Sequence, residues 1–168
     1  FLMESLIKMS RRETGTFVLK PEEAQLSDTI ARALSLVWAR AEKKGIRLDA
    51  DCDSRITVRH DPKWTAEAIG NILDNAVKYT PEGGSISLQV RPWQIYTRID
   101  ITDTGMGIDP EHYHDIFQRF YRAQEAAGEE GVGLGLYLAQ EIVRQEMGYI
   151  TVKSEKGKGS TFSVFLLS

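Results

Sequence analysis

The stretch Asn71-Ile72-Leu73-Asp74-Asn75-Ala76-Val77-Lys78-Tyr79-Thr80 constrains this chain more than any other. A helix through it, turning ~100° per residue, gathers Glu67, Asn71, Asn75 and Lys78 within a sector of ~80°. Ile69, Ile72, Leu73 and Ala76 fall on the opposite side and must cover a core. Two Asn one helical turn apart cost helix propensity relative to Ala or Leu. Two explanations fit: a solvated face with incidental amides, or a face kept polar for a ligand. A carboxamide oxygen beside a lysine suits a Mg²⁺–phosphate group, because Mg²⁺ takes oxygen ligands and is held by few protein groups together with substrate phosphates.

Three later segments bear on that choice. In Arg98-Ile99-Asp100-Ile101-Thr102-Asp103, the isoleucines alternate with polar residues, which reads as a strand with one buried face. Asp103 continues the alternation and is expected to point inward, where a carboxylate needs a hydrogen-bond donor; the exocyclic amine of adenine is one. Gly105 and Gly107 follow at once and leave room for a flat base near the backbone. The bland alternative is a strand end followed by a glycine turn. Asp-Thr-Gly also surrounds the nucleophile of aspartic proteases, but those need a second such aspartate in a large β-fold, and this chain has neither.

Next, Gly131-Val132-Gly133-Leu134-Gly135-Leu136 leads into a helical pattern from Tyr137. Free N–H groups and the positive dipole end of a helix make an anion site. The glycines are two apart and no strand precedes them, so this is not a dinucleotide fingerprint; no Gly-Lys-Ser/Thr follows, so it is not a Walker loop. Between these segments, Ile116-Phe117-Gln118-Arg119-Phe120-Tyr121-Arg122 sets two arginines, suited to phosphate, among aromatics.

Each box is weak alone. Their order is specific: Asn-x-x-x-Asn on a helix, Asp-x-Gly-x-Gly after a strand, Phe-x-x-Phe, then Gly-x-Gly-x-Gly opening a helix. The series resembles the ATP-binding catalytic domain of sensor histidine kinases, in the superfamily shared with DNA gyrase, mismatch-repair ATPases and the ninety-kilodalton heat-shock chaperone. The resemblance covers roughly residues 15–168. It implies a Bergerat-type two-layer α/β (α+β) sandwich, a mixed sheet covered on one face by helices, with ATP and Mg²⁺ as ligands.

Residue by residue, the resemblance implies that Asn75 ligands Mg²⁺, that Asn71 and Lys78 face phosphates, and that Tyr79 borders the nucleotide. It makes Asp103 the adenine contact, with Gly105, Gly107 and Ile108 forming the pocket. Tyr121 and Arg122 lie near ribose and phosphates; Gly131, Gly133, Leu134, Gly135 and Leu136 close around the triphosphate; Thr161 borders the base. Asn71, Lys78 and Arg119 are the expected catalytic set. Relatives that hydrolyse ATP typically carry a water-activating Glu where this chain has Asn71, and an amide is no general base. The resemblance therefore favours a kinase that delivers the γ-phosphoryl to a side chain. Gly157-Lys158-Gly159-Ser160-Thr161-Phe162 matches the family's last hairpin, though an ordinary β-turn needs no ligand.

Departures temper it. Gln118 stands where a Glu is usual, and Ala123–Glu130 holds Glu125, Glu129 and Glu130 without Lys or Arg. An acidic lid repels a triphosphate and leaves Arg119 and Arg122 to draw it in. Such kinases phosphorylate a His on a dimerising helix hairpin. His60, His112 and His114 do not sit in that pattern and read as surface or turn histidines. The apolar stripe Leu2, Leu6, Met9 resembles the tail of that hairpin's second helix. The expected organisation is residues 1–14 as tail and link and 15–168 as catalytic domain, in a fragment of a longer receptor. The implied partners are the parent's own dimerisation hairpin and a response-regulator receiver domain. Two other readings stay open: a serine kinase of the anti-sigma-factor type, and a degenerate nucleotide-binding docking module.

Composition is that of one ordinary domain: 168 residues, 42% hydrophobic and 27% charged. A net charge of −3 gives no reason to expect nucleic acid. A lone cysteine, Cys52, suits a reducing cytoplasm, and no apolar run spans a bilayer, so no membrane contact by this stretch is expected. Periodicity predicts a strand at Phe17–Leu19, one long helix through Leu26, Ile30, Leu34, Val37 and Ala41 ended by Gly45, strands at Ile46–Asp51 and Ile56–Arg59, and the paired-Asn helix from Pro62 to Thr80. It further predicts strands at Ile86–Val90 and around Ile99, a glycine-led helix, and a hairpin of Tyr149–Ser154 with Thr161–Leu167.

Overall fold

The computed structural model describes residues 18–118 and 134–168. In chain order the elements are β1 (Glu22–Gln25), α1 (Leu26–Ser35), α2 (Trp38–Lys43), β2 (Arg47–Asp51), β3 (Thr57–His60), α3 (Pro62–Tyr79), β4 (Ser85–Trp93) and β5 (Tyr96–Asp103). Short 3₁₀ turns follow at Pro110–His112 and Asp115–Phe117, then α4 (Gly135–Gln145), β6 (Tyr149–Glu155) and β7 (Gly159–Leu167). Five strands form a mixed sheet in the order β2-β4-β5-β7-β6, with only β2–β4 parallel. β1 and β3 pair separately as an antiparallel ladder.

One face of the sheet meets the helices. Ile86 and Leu88, Ile99 and Ile101, and Phe162 and Val164 alternate inward and are almost wholly buried. They meet Leu26, Ile30 and Ala33 of α1, Ile69, Ile72, Leu73 and Ala76 of α3, and Ala139, Ile142 and Val143 of α4. The expected two-layer sandwich, a mixed sheet with helices on one face, is the architecture observed.

Helix α3 is held at both ends by other elements. Asp61 caps its N-terminus by accepting from the Trp64 N–H at 3.1 Å, with Pro62 in the first turn. Glu146, just past α4, accepts from the Asp61 N–H at 2.9 Å and the Thr65 hydroxyl at 2.6 Å. At the far end, Lys44 Nζ donates to the Val77 and Lys78 carbonyls at 2.9 and 3.0 Å, satisfying acceptors a helix end leaves orphaned.

Three expectations fail in detail. Val18 and Leu19 are not in a strand; the first one lies at Glu22–Gln25, and Phe17 is outside the described residues. The long helix from Leu26 is two helices. Leu36 and Val37 donate back to Ala33 and Leu34, three residues away, and α2 starts afresh. The apolar stripe hides this break because Val37 and Ala41 stay buried across it. His60 is no surface or turn residue: it is fully buried at the end of β3, with Nε2 2.7 Å from Thr29 Oγ1 and Nδ1 2.8 Å from the Val58 carbonyl oxygen.

Candidate functional site

The inward face of β5 ends at Asp103, which is 7% exposed beyond Ile99 and Ile101. Its Oδ1 accepts from the Gly105 N–H at 2.8 Å. Burial pushes its pKa above the ordinary 3.8, and backbone donation from Gly105 and Ser160 restrains the rise. The glycines beside it are sterically required. A methyl on Gly105 would stand 2.5 Å from the Tyr79 carbonyl oxygen, and one on Gly107, at φ +73°, would stand 2.1 Å from the Glu155 carbonyl oxygen. The β6–β7 turn thus lies against the glycine loop, and Gly157 N–H donates to the Met106 carbonyl at 2.6 Å. Ile108 N–H donates to Ser154 Oγ at 2.7 Å, while the Tyr113 hydroxyl both donates to the Ser154 carbonyl and accepts from its N–H. The Thr80 hydroxyl is buried, has no hydrogen-bond partner among the described residues, and would lie 3.1 Å from a methyl on Gly105.

The polar face of α3 meets the start of α4. Asn71 is 5% exposed, and its Oδ1 is buried with no hydrogen-bond partner among the described residues. A methyl on Gly135, the first residue of α4, would lie 3.6 Å from Asn71 Cβ and 4.0 Å from that oxygen. Leu134, at the N-cap of α4, offers no side-chain cap, while it and Leu136 are buried. Asn75, Lys78 and Tyr79 are half-buried further along. A buried amide oxygen without a donor costs ~1–3 kcal/mol, so this face suits a ligand that supplies a cation or a donor. Asn71 and Asn75 are neutral oxygen ligands of the kind Mg²⁺ accepts.

One placement differs from what the resemblance implies. Thr161 faces away from Asp103: in the β5–β7 register it pairs with Thr102, their hydroxyl oxygens 3.0 Å apart on the outer face of the sheet. Ser160 is the residue opposite Asp103, buried on the inner face with Phe162 and Val164. The period of two along β7 could have found it, since Ser160 shares the parity of its buried residues. Lys78 Nζ lies 3.2 Å from Asp74 Oδ2. Arg119, Tyr121, Arg122, Gly131 and Gly133 lie outside the described residues. Asp109, Glu111 and His112 bring ligand atoms within 4.8 Å of one another on the turn after the glycine loop, none of them buried.

Comparisons with known proteins show the family. Residues 60–168 match the family described as histidine kinase-, DNA gyrase B-, and HSP90-like ATPase. The chain is 34% identical over 164 residues to the adaptive-response sensory kinase SasA of Synechococcus sp. (strain JA-2-3B'a(2-13)), covering 96% of this chain and 43% of that protein. It is 29% identical over 167 residues to the sensor-like histidine kinase SenX3 of Mycobacterium tuberculosis (strain ATCC 25618 / H37Rv), covering 98% of this chain and 41% of that protein. The chain thus spans less than half the length of these curated relatives. The solved structure of the mycobacterial sensor histidine kinase MprB superposes with a TM-score of 0.75 at 26% identity, covering 89% of this chain and 97% of that one. The chain belongs to the histidine kinase-, DNA gyrase B- and HSP90-like ATPases, as an ATP-binding catalytic domain of the sensor histidine kinase kind.

Proposed function

We propose that the chain binds Mg²⁺–ATP with its base at Asp103 and its phosphates along Asn71, Asn75, Lys78 and the start of α4. It then passes the γ-phosphoryl to a histidine on a dimerisation hairpin. The observation that carries this reading is the buried Asn71 Oδ1, without a hydrogen-bond partner among the described residues and facing the first turn of α4. An acceptor oxygen and a helix N-terminus converge there, which suits a cation-bearing phosphate group.

Asp103 accepts from the adenine amine, Ser160 borders it on the next strand, and Gly105 and Gly107 let the base approach. Asn75 holds Mg²⁺, which when bound neutralises phosphate charge. Asn71 is an amide and cannot take a proton from water, so the γ-phosphoryl waits for a stronger nucleophile. The acceptor imidazole nitrogen attacks γ-phosphorus, the bond to the β–γ bridging oxygen breaks, and ADP leaves with that electron pair. Residues 1–14, which lie outside the described residues, are read from the sequence as the tail and link of that hairpin, and 15–168 as the catalytic domain, in the cytoplasmic part of a membrane-anchored receptor whose phosphoryl group passes to a response regulator. Among the described residues no helix is long and apolar enough to cross a membrane.

Titration calorimetry with Mg²⁺–ATP tests the base contact: Asp103→Ala is expected to cost ~1–3 kcal/mol of binding, and wild-type affinity in that variant removes Asp103 from the site. Transfer tests the reaction. The chain alone with labelled ATP should gain no acid-labile phosphate and release phosphate slowly, while a supplied acceptor hairpin should become labelled. Rapid phosphate release without acceptor would place the chain with the hydrolysing relatives instead.

A further inference from the structure

The polar face of α3 carries an acid beside its amides. Asp74 lies ~20° from Glu67 around the helix and one turn before Lys78, and it is 3% exposed. Its two oxygens have different partners. Oδ2 lies 3.2 Å from Lys78 Nζ, and Oδ1 is in contact with the Arg40 guanidinium, which reaches across from α2. Arg40 also donates to the Leu36 carbonyl at 3.4 Å, at the break between α1 and α2. One turn beyond it, Lys44 donates to the Val77 and Lys78 carbonyls. Helix α2 and the Lys44 that follows it therefore brace the last two turns of α3 at two points, one of them the acid that holds Lys78.

A buried carboxylate next to a phosphate site sets up a conflict. It repels the triphosphate, and losing its only counter-charge would leave an uncompensated buried anion. If Lys78 were its sole partner, turning Lys78 to a phosphate would strip Asp74. Arg40 removes the conflict, because a guanidinium keeps its charge and can hold the acid alone.

We propose that Arg40 and Asp74 are positioning residues for Lys78: Asp74 keeps the ammonium beside the phosphate face, and Arg40 takes over the carboxylate's charge when Lys78 engages phosphate. The proposal rests on the reading of Lys78 as phosphate-facing. Its consequence is that ATP affinity depends on a residue of α2 that need not touch the nucleotide.

The test titrates Mg²⁺–ATP and, separately, adenosine into the whole chain, with thermal unfolding as a check on folding. Arg40→Gln is expected to weaken ATP roughly fivefold, since Lys78 must then leave a buried anion unpaired, while adenosine affinity stays unchanged. Arg40→Lys should restore most of the loss. Arg40→Gln combined with Asp74→Asn should bind ATP about as well as Asp74→Asn alone, because no anion is left to retain Lys78. Wild-type ATP affinity in Arg40→Gln, an equal loss for adenosine, or an undiminished loss in the double variant would each overturn the proposal. Lys78→Gln separates the two layers. If it too binds ATP like wild type, the phosphate role of Lys78 falls and the proposal with it. If it loses ATP while Arg40→Gln does not, only the proposal falls.

Discussion

At the Asp103 end of the site most polar groups are already paired, the buried Thr80 hydroxyl excepted, while at the Asn71 end side chains wait without their full complement. Asp103 rests on N–H groups of Gly105 and Ser160, and the glycine loop and the β6–β7 turn are tied by Gly157 N–H to Met106 and Ile108 N–H to Ser154. Ser154 is in turn clasped by Tyr113. At the other end Asn71 Oδ1 has no partner among the described residues, and Lys78 shares a buried acid with Arg40. A flat base needs one fixed shape, so that end is settled by sheet register. A multiply charged phosphate chain brings its own charge, so the end suited to it can be left electrostatically incomplete until it arrives.

Two glycines give the largest way to break the contrast. Gly159 has φ +100°, and a methyl there would lie 2.1 Å from the Asp103 carbonyl oxygen. Gly159→Ala is expected to cost about 3 kcal/mol of stability in denaturant melts and to weaken nucleotide binding with it. Gly135 meets only ordinary contact at 3.6 Å. Gly135→Ala should hold the wild-type midpoint or gain up to ~1 kcal/mol. Equal losses from the two would erase the difference between the ends.

A smaller effect of opposite sign is expected at Asn71. Asn71→Leu removes a buried acceptor that has no donor, so the fold should gain roughly 1 kcal/mol in urea while Mg²⁺–ATP binding is lost. A destabilised variant would mean that Asn71 has a structural partner and that the phosphate end is as complete as the base end.

The smallest effect is a pH dependence confined to the base end. Burial raises the folded pKa of Asp103 above its unfolded value of 3.8. The folded state therefore holds its proton more tightly, and stability contributed by this group falls as pH rises from 3.8 through the raised pKa, then stays low. Asp103→Asn removes that cost. Its stability advantage over wild type should be present at neutral pH and fade as pH drops toward 3.8. A constant difference across that range would show that desolvation of Asp103 is not felt.

Much of the site is legible in local pattern. The sector holding Asn71, Asn75 and Lys78, the inward parity of Asp103, and the paired glycines after it all follow from periods of 3.6 and 2 along single elements. Ser160 was within reach of the same reasoning, for the parity of Phe162 and Val164 assigns it to the inner face and leaves Thr161 outside. The α1–α2 break was not, because Val37 and Ala41 continue the apolar stripe across it and only backbone hydrogen bonding reveals the interruption.

What sequence alone determined is which side chains share a face: the core stripe of α3 against the sheet, the amides opposite, a carboxylate ending the inner face of β5. These follow from backbone geometry that repeats every turn or every second residue and needs no knowledge of neighbours. Only tertiary structure decided who faces whom across elements: Asn71 against Gly135, Glu146 on the first turn of α3, Arg40 on Asp74, Ser160 opposite Asp103. Those partners come from residues 34 to 85 positions apart or more than fifty along the sheet register. Whether a buried polar atom is paired, shared or left waiting is set by packing that no local period encodes.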